Sequence, residues 1–288
     1  MQVGFVGVGA MGEVMAGHVT KAGFDVMAFD TDKAALSSAA TGGVKAAESL
    51  AELASGSDIA IIMVASDDQS RSVVTALIES GMQKGAVIVI AATNHPRTMI
   101  ELAAQCAGAG IGFVDAPVCY GLQGAKAGNL ISLCGGEASD IETVRPVLMA
   151  YSRSVEHLGG HGCGQLGKAC NNMMHWAACV ANYETLALAK ACGIDAQAMR
   201  ETLLKCPARN TTLERWDTSR FTWHQKDMDV VLELSQQAGI ALPLFGLVDQ
   251  LVKRLGPDRV RELLYESEAE YLGLPIPVRP LAEVAKRD

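Results

Sequence analysis

The feature that most constrains this chain is Gly7-Val8-Gly9-Ala10-Met11-Gly12, placed directly after the apolar run Val3 to Val6. A buried strand ending in this glycine spacing feeds a tight turn and then a helix that buries Met15, Val19 and Ala22. Gly7 permits the turn, Gly9 leaves room for a pyrophosphate against the backbone, and Gly12 lets helix and strand pack closely. Ala10 and Met11 complete the turn, where unpaired N–H groups and the positive end of the helix dipole attract phosphate. A second strand, 25–29, ends at Asp30, close to the ~20-residue offset of an acid that hydrogen-bonds a ribose 2′-hydroxyl. The glycines alone would fit any glycine-rich turn; with strand, helix and acid they specify a dinucleotide-binding unit. Asp30-Thr31-Asp32 offers two carboxylates and no arginine to a 2′-phosphate, which favours NAD over NADP as cofactor.

The alternation continues through the first half. Short apolar runs at 3–6, 25–29, 59–64, 87–91, 112–115, 130–134 and 153–156 read as strands, with helical patterns at 67–78, 97–107 and 141–150. Such alternation implies βαβ units and a mostly parallel sheet covered on both faces. The character changes near Gly159-Gly160-His161-Gly162, and only helical periodicity follows. The fold class expected is therefore α/β: a Rossmann-type NAD-binding domain over 1–160, and an all-α substrate and oligomerisation domain over 161–288, joined by a long interdomain helix. Residues 166–191 are apolar almost all round, a pattern that demands burial on every side. At 1.5 Å per residue that helix is about 40 Å long, more than a small helical domain covers. A second subunit is expected to cover the remainder, in a homodimer or homotetramer. The proline-rich stretch 274–280 reads as an extended strap.

Composition narrows the partners. A net charge of −8 and the absence of a basic run argue against a nucleic-acid surface. No apolar stretch is long and uninterrupted enough for a membrane span. Residues 1–12 are needed as strand and turn rather than as a signal peptide. The eight cysteines include no Cys-x-x-Cys pair and read as small buried hydrophobes in a reducing compartment, the cytoplasm, with no zinc site or disulfide framework.

Three further segments belong together. They are Asp115-Ala116-Pro117-Val118 with Gly121, Gly124-Ala125, Gly128 and Gly135-Gly136; the run Gly162-Cys163-Gly164-Gln165-Leu166-Gly167-Lys168-Ala169-Cys170-Asn171-Asn172; and Lys226-Asp227-Met228 before Gly239 and Pro243. With the N-terminal glycine turn, their order and spacing resemble the β-hydroxyacid dehydrogenase family, the relatives of 3-hydroxyisobutyrate dehydrogenase, over nearly the whole chain. The resemblance implies an NAD-dependent oxidoreductase acting on the 3-hydroxyl of a small hydroxy acid or an anionic analogue, and a semialdehyde reductase in reverse. Lys168 matches the family's catalytic lysine. Oxidising an alcohol requires a group to accept the hydroxyl proton, and a lysine base must be made partly neutral by desolvation or a nearby positive charge. Lys226 matches the second lysine, a candidate for that charge and for the substrate anion; the plainer reading is an exposed helix-start pair with Asp227. Asn172 lies one helical turn after Lys168, placed to orient it or hold a substrate oxygen. Val64, Ala65 and Thr93 match positions that contact the dinucleotide, at the carboxyl ends of strands where open α/β sheets bind ligands.

The chain also departs from the family. Cys119-Tyr120-Gly121 replaces the usual Ser-Gly-Gly that grips the substrate carboxylate, and Ala92 stands where a serine is expected. A thiol is a weaker donor than a hydroxyl, and Tyr120 either reshapes the pocket or turns away from a backbone-mediated contact. His175 either reaches the pocket or packs in the core. Trp216, Trp223 and His224 either wall the site or fill the interior. Residues 255–259 replace the family's Gly-x-Gly-x-x-Asp segment. Imine reductases, which resemble this family but usually lack the lysine, and non-catalytic NAD-binding relatives are the competing functions; retention of Lys168 argues against both.

Overall fold

Residues Gln2–Val6 form strand β1, and four of the five are buried, as expected at the centre of a parallel sheet covered on both faces. The computed structural model describes residues 1–285. After β1 come α1 (Gly12–Lys21), β2 (Asp25–Phe29), α2 (Lys33–Thr41), β3 (Lys45–Ala46), α3 (Leu50–Gly56), β4 (Ile59–Ile62) and α4 (Asp67–Glu79). The first unit continues through β5 (Val87–Ile90), α5 (Pro96–Ala109), β6 (Gly112–Asp115), β7 (Val118–Cys119), α6 (Gly121–Lys126), β8 (Leu130–Gly136), α7 (Ala138–Leu148) and β9 (Ser152–Gly159).

The strand order is β3-β2-β1-β4-β5-β6-β8-β7, with β9 also paired to β8. Strands β1 to β6 run parallel, and β8 is antiparallel to both β6 and β7. The expected mostly parallel, doubly wound sheet is therefore present. Side chains alternate between its faces. Val3, Phe5, Ile59, Ile61, Val87 and Val89 join one core with Met15 and Val19. Val6, Ala60, Ile62, Ile88 and Ile90 join another with Leu53, Leu77 and Met99. The order reverses between β1 and β4, so their carboxyl ends border the crevice where such sheets take ligands.

Local chemistry ends the helices. Ser66 caps α4 by accepting from the Gln69 N–H. Pro96 opens α5 and Gly110, at φ +74°, closes it. Some limits differ from the sequence reading. Strands β3 and β7 have two residues each, too few for a periodic signal, and β4 stops at Ile62, which leaves Val64 beyond the strand.

Helix α8 (Cys163–Ala191, 29 residues) leads into the second unit. There α9 (Ala196–Leu203), α10 (Thr211–Glu214), a 3-10 turn (Trp216–Thr218), α11 (His224–Ala238), α12 (Pro243–Val252) and α13 (Pro257–Tyr265) follow. Their core gathers Trp176, Cys179, Val180, Tyr183 and Leu186 of α8 with Leu213, Trp216, Met228, Val252 and Leu263. Buried Lys190 donates to the Leu263 and Glu266 carbonyls, placing a cation at the C-terminal end of α13.

One expectation is corrected here. The second unit is not purely helical: β10 (Glu270–Tyr271) and β11 (Leu274–Pro275) form a short hairpin before α14 (Leu281–Val284). Two-residue strands leave no alternation to read. Within the single chain, helix α8 leaves Leu166, Met174 and Leu188 48%, 70% and 67% exposed, surface of the kind that a second subunit is expected to cover. The contact boundary falls between Lys168 and Ala169, inside the first turns of α8. Its cause is the start of α8, which lies flush on the sheet: a Cβ on Gly164 would sit 2.3 Å from the Leu133 oxygen. The segment after β11 forms no regular element, and the Arg279 N–H donates to the Ala191 carbonyl at the end of α8. No helix among the described residues is long and apolar enough to cross a membrane.

Candidate active site

The turn after β1 has the geometry that its glycines imply. Gly7 sits at φ +89°, and a Cβ there would lie 2.4 Å from the Met63 oxygen just after β4. A Cβ on Gly12 would lie 2.0 Å from the Gly7 oxygen, so only glycine lets α1 start this close to the strand. Gly9 and Ala10 are exposed, and a Cβ on Gly9 would meet nothing within 4 Å. Met11 caps α1 with backbone alone, and no side chain occupies the helix's first N–H groups. The turn is thus an open cradle for an anion. Asp30 stands beside it: one carboxylate oxygen accepts from the Val8 N–H at 2.8 Å and the other from the Asp32 N–H at 2.9 Å. Each oxygen keeps a lone pair for a ribose hydroxyl. Asp32 itself caps α2 through the Ala34 N–H. These residues fit a nicotinamide dinucleotide.

The loops after β4 and β5 form the neighbouring edge. Ala65 donates its N–H to Gln69, and Val64 beside it is half-buried. Thr93 is half-buried between Ala92 and Asn94, and both of these are held by one side chain. Gln165, in the first turn of α8, accepts from the Asn94 N–H at 2.9 Å and donates to the Ala92 carbonyl at 2.7 Å. The fully buried Asp115, at the end of β6, accepts from the Gly162 N–H at 2.7 Å and the Gln165 N–H at 2.9 Å, which caps α8 from outside. Burial pushes the Asp115 carboxyl up to about 6, while those two donors and His161 pull the other way. Three residues beyond Gln165 stands Lys168, half-buried. The sequence carries no local signal for the roles of Asp115 and Gln165, because their partners lie 47 to 73 residues away.

Cys119 is buried on β7. Burial raises its thiol pKa, and the Lys168 ammonium opposes that rise, so the two groups lie within electrostatic reach. The result is a neutral thiol, a weak donor. Tyr120 adopts φ +86°, a left-handed conformation that favours glycine, and Gly121 follows at +56°. The Tyr120 ring packs against the first core, its hydroxyl accepts from Arg153 at 2.8 Å, and the guanidinium carbon lies 4.7 Å from the ring centre. Its bulk is accommodated because residue 124 is glycine; a Cβ there would lie 2.4 Å from that of Tyr120. Tyr120 thus has an anchorage of its own on the β9 side of the sheet.

In the second unit, Asn172 is buried one turn after Lys168 along α8 and accepts from the Asn171 side chain. One turn further, the Trp176 indole donates to Asp227 at 2.9 Å, pinning the first turn of α11 and with it the half-buried Lys226. Asp227 is therefore part of the interior packing rather than of an exposed pair. His175 hydrogen-bonds Thr212 at 2.9 Å and its ring lies 4.6 Å from that of Trp176, a role in second-unit packing. Trp216 is fully buried core, His224 meets the Trp176 ring edge-on, and Trp223 is 61% exposed. Residues 256–259 start α13, where Arg259 pairs with Glu262 and Glu270.

Known proteins are similar to this chain over most of its length. Residues 2–159 match the model for the NAD binding domain of 6-phosphogluconate dehydrogenase. Residues 162–262 match that for the NAD-binding region of NADP-dependent 3-hydroxyisobutyrate dehydrogenase. An uncharacterized oxidoreductase of Shewanella frigidimarina is 35% identical over 86% of this chain and 90% of its own. The NAD-dependent L-serine dehydrogenase of Pseudomonas aeruginosa is 30% identical over 74% of this chain and 72% of its own. The structure of Mycobacterium tuberculosis 3-hydroxyisobutyrate dehydrogenase with L-serine shares the fold, with a TM-score of 0.81 and 24% identity over 92% of this chain and 99% of that one. The chain belongs to the β-hydroxyacid dehydrogenases related to 3-hydroxyisobutyrate dehydrogenase, a family of nicotinamide-dinucleotide-dependent oxidoreductases.

Proposed function

We propose that this protein is an NAD-preferring dehydrogenase of the 3-hydroxyl of small hydroxy acids, or of close anionic analogues, with Lys168 as the acid/base group. The observation that carries this reading is the half-buried Lys168 on a helix tied by Gln165 to the loop of Thr93. The N–H groups of residues 7–12 would hold the pyrophosphate, Asp30 the adenosine ribose, and Val64, Ala65 and Thr93 the nicotinamide side. When bound, the nicotinamide supplies the hydride acceptor for alcohol oxidation or the donor for the reverse. Lys168 takes the proton from the substrate hydroxyl in oxidation and returns it in reduction. The Cys119-Tyr120-Gly121 segment, Asn172 and Lys226 are the substrate-binding candidates that the family resemblance implies, with Lys226 the candidate for the substrate anion. Because the Cys119 thiol is a poor donor, the carboxylate depends more on backbone N–H groups and lysine than in relatives with serine. The named activities of the relatives, on L-serine and 3-hydroxyisobutyrate, support a short 3-hydroxy acid as the substrate class.

The test is NADH formation across a panel of 3-hydroxy acids that includes L-serine and 3-hydroxyisobutyrate. Lys168→Ala should lower kcat by at least about 100-fold, with NAD affinity nearly unchanged. Near wild-type turnover in that variant, or no turnover of any panel member by the wild type, overturns the reading.

We also infer a homodimer or homotetramer. Leu166, Met174 and Leu188 lie exposed along α8, and a second copy of the chain would cover them. Light scattering should give a multiple of the 30.3 kDa chain mass; a monomer at micromolar concentration removes this inference. The eight unpaired cysteines suit a reducing compartment, and we place the protein in the cytoplasm.

A further inference from the structure

We propose that Gln165 is a positioning residue, whose carboxamide, with the Asp115 carboxylate behind the same helical turn, fixes Lys168 against the loop that carries Thr93. The proposal rests on the acid/base reading of Lys168 only for its catalytic consequence; the placement is testable without it.

Gln165 is 1% exposed, a position that an apolar side chain would fill at less desolvation cost. Its amide is not merely satisfied. Its oxygen accepts from the Asn94 N–H and its nitrogen donates to the Ala92 carbonyl, so one planar group grips the backbone on both sides of Thr93. A two-point grip fixes the loop's distance from α8 and also its direction, which a single hydrogen bond would leave free to pivot. The remaining contact of that nitrogen is Met99 Sδ at 3.8 Å, within the apolar surroundings.

The other end of the connection is just as confined. The Gln165 N–H and the Gly162 N–H both donate to Asp115, which is fully buried at the end of β6. A Cβ on Gly164 would stand 2.3 Å from the Leu133 oxygen and 2.7 Å from the Asp115 oxygen, and one on Gly135 would stand 2.6 Å from Asp115 Oδ1. The start of α8 therefore cannot approach the sheet further, and the two hydrogen bonds to Asp115 keep it from lifting away. Lys168 follows Gln165 by three residues, about 4.5 Å along the same rigid helix. Any movement of Gln165 is thus passed directly to the lysine. Three elements that would surround the reacting atoms are joined at this one residue: its backbone N–H ties the start of α8 to the end of β6, and its side chain ties it to the loop after β5.

The test uses Gln165→Glu, which keeps the shape but sets a carboxylate oxygen against the Ala92 carbonyl, and Gln165→Met, which removes both contacts. Crystal structures of wild type and variants should show Lys168 Nζ displaced from Thr93 by about 1 Å or more, with residues 7–12 unmoved. Displacement on that scale should lower kcat by roughly 10- to 100-fold and enlarge the solvent deuterium isotope effect on kcat. The NADH dissociation constant, read by fluorescence, should stay within about threefold of wild type. Variants that melt lower yet keep the Lys168 position, kcat and isotope effect would reduce Gln165 to a packing residue and overturn the proposal. Should both variants fail to fold, hydrogen exchange on the wild type decides: the Asn94 and Gln165 amides must be protected as part of one slowly opening unit, and fast exchange at either sinks it. If the wild type turns over no hydroxy acid, the functional reading falls, while the displacement and exchange results still decide the positioning role.

Discussion

Gly9 and Gly12 lie three residues apart in the same turn, yet alanine at each should fail in opposite ways. A Cβ at position 12 would stand 2.0 Å from the Gly7 oxygen and 3.0 Å from its carbonyl carbon. Both are backbone atoms and cannot swing aside, so α1 must retreat from β1 by about 1 Å, an overpacking change that costs roughly 1–3 kcal/mol. For a unit of this size that is a fall in Tm of roughly 3–10 °C without cofactor. At position 9 the added Cβ would meet nothing within 4 Å, so Gly9→Ala should melt within about 1 °C of wild type. Its methyl would instead occupy the space into which a pyrophosphate settles. NADH should then bind about 10- to 100-fold more weakly, a loss of roughly 1.4–2.7 kcal/mol. Thermal melts without cofactor and NADH fluorescence titrations separate the two effects. A Gly9→Ala protein that melts early but binds normally, or a Gly12→Ala protein that melts normally, would refute this division of labour.

Asp115 makes stability depend on pH. Burial raises its carboxyl from 3.8 to about 6, so the native state holds this proton more tightly than the unfolded chain does. Its contribution is full below about pH 4 and lost as pH rises through about 6, a change of about 3 kcal/mol. His161 and Cys134 are the titratable neighbours, and both remain in Asp115→Asn. The variant's Tm should therefore gain on wild type between pH 4 and 7; parallel melting curves would contradict the raised value. For the cofactor, Asp30→Ala should raise KM for NAD at least about tenfold and improve the NADP to NAD ratio of kcat/KM, because it removes the ribose acceptor and a repelling charge together. An unchanged ratio would show that Asp30 serves only the Val8 and Asp32 amides.

Much of the first unit was legible because its information is local. Val3 and Phe5 alternate with Gly4 and Val6, the glycine turn follows at once, and Asp30 closes the unit within one βαβ span. What escaped depends on contacts between distant residues. Nothing near Gln165 announces that its amide meets Ala92 and Asn94, and nothing near Trp176 announces Asp227, 51 residues on. The left-handed backbone of Tyr120 was hidden as well, since its tolerance rests on Gly124 and Arg153 rather than on the tyrosine. For α8, hydrophobicity showed how much surface needs covering but not what covers it. Met174 and Leu188 lie open in the single chain, although the helix is apolar almost all round.

A crystal structure of the protein with NAD and its best hydroxy acid tests the central claim most directly. The account predicts Lys168 Nζ at about 3 Å from the substrate's 3-hydroxyl oxygen, a distance at which a proton passes between them. A ternary complex in which that amine points into solvent, with another group beside the hydroxyl, would contradict it.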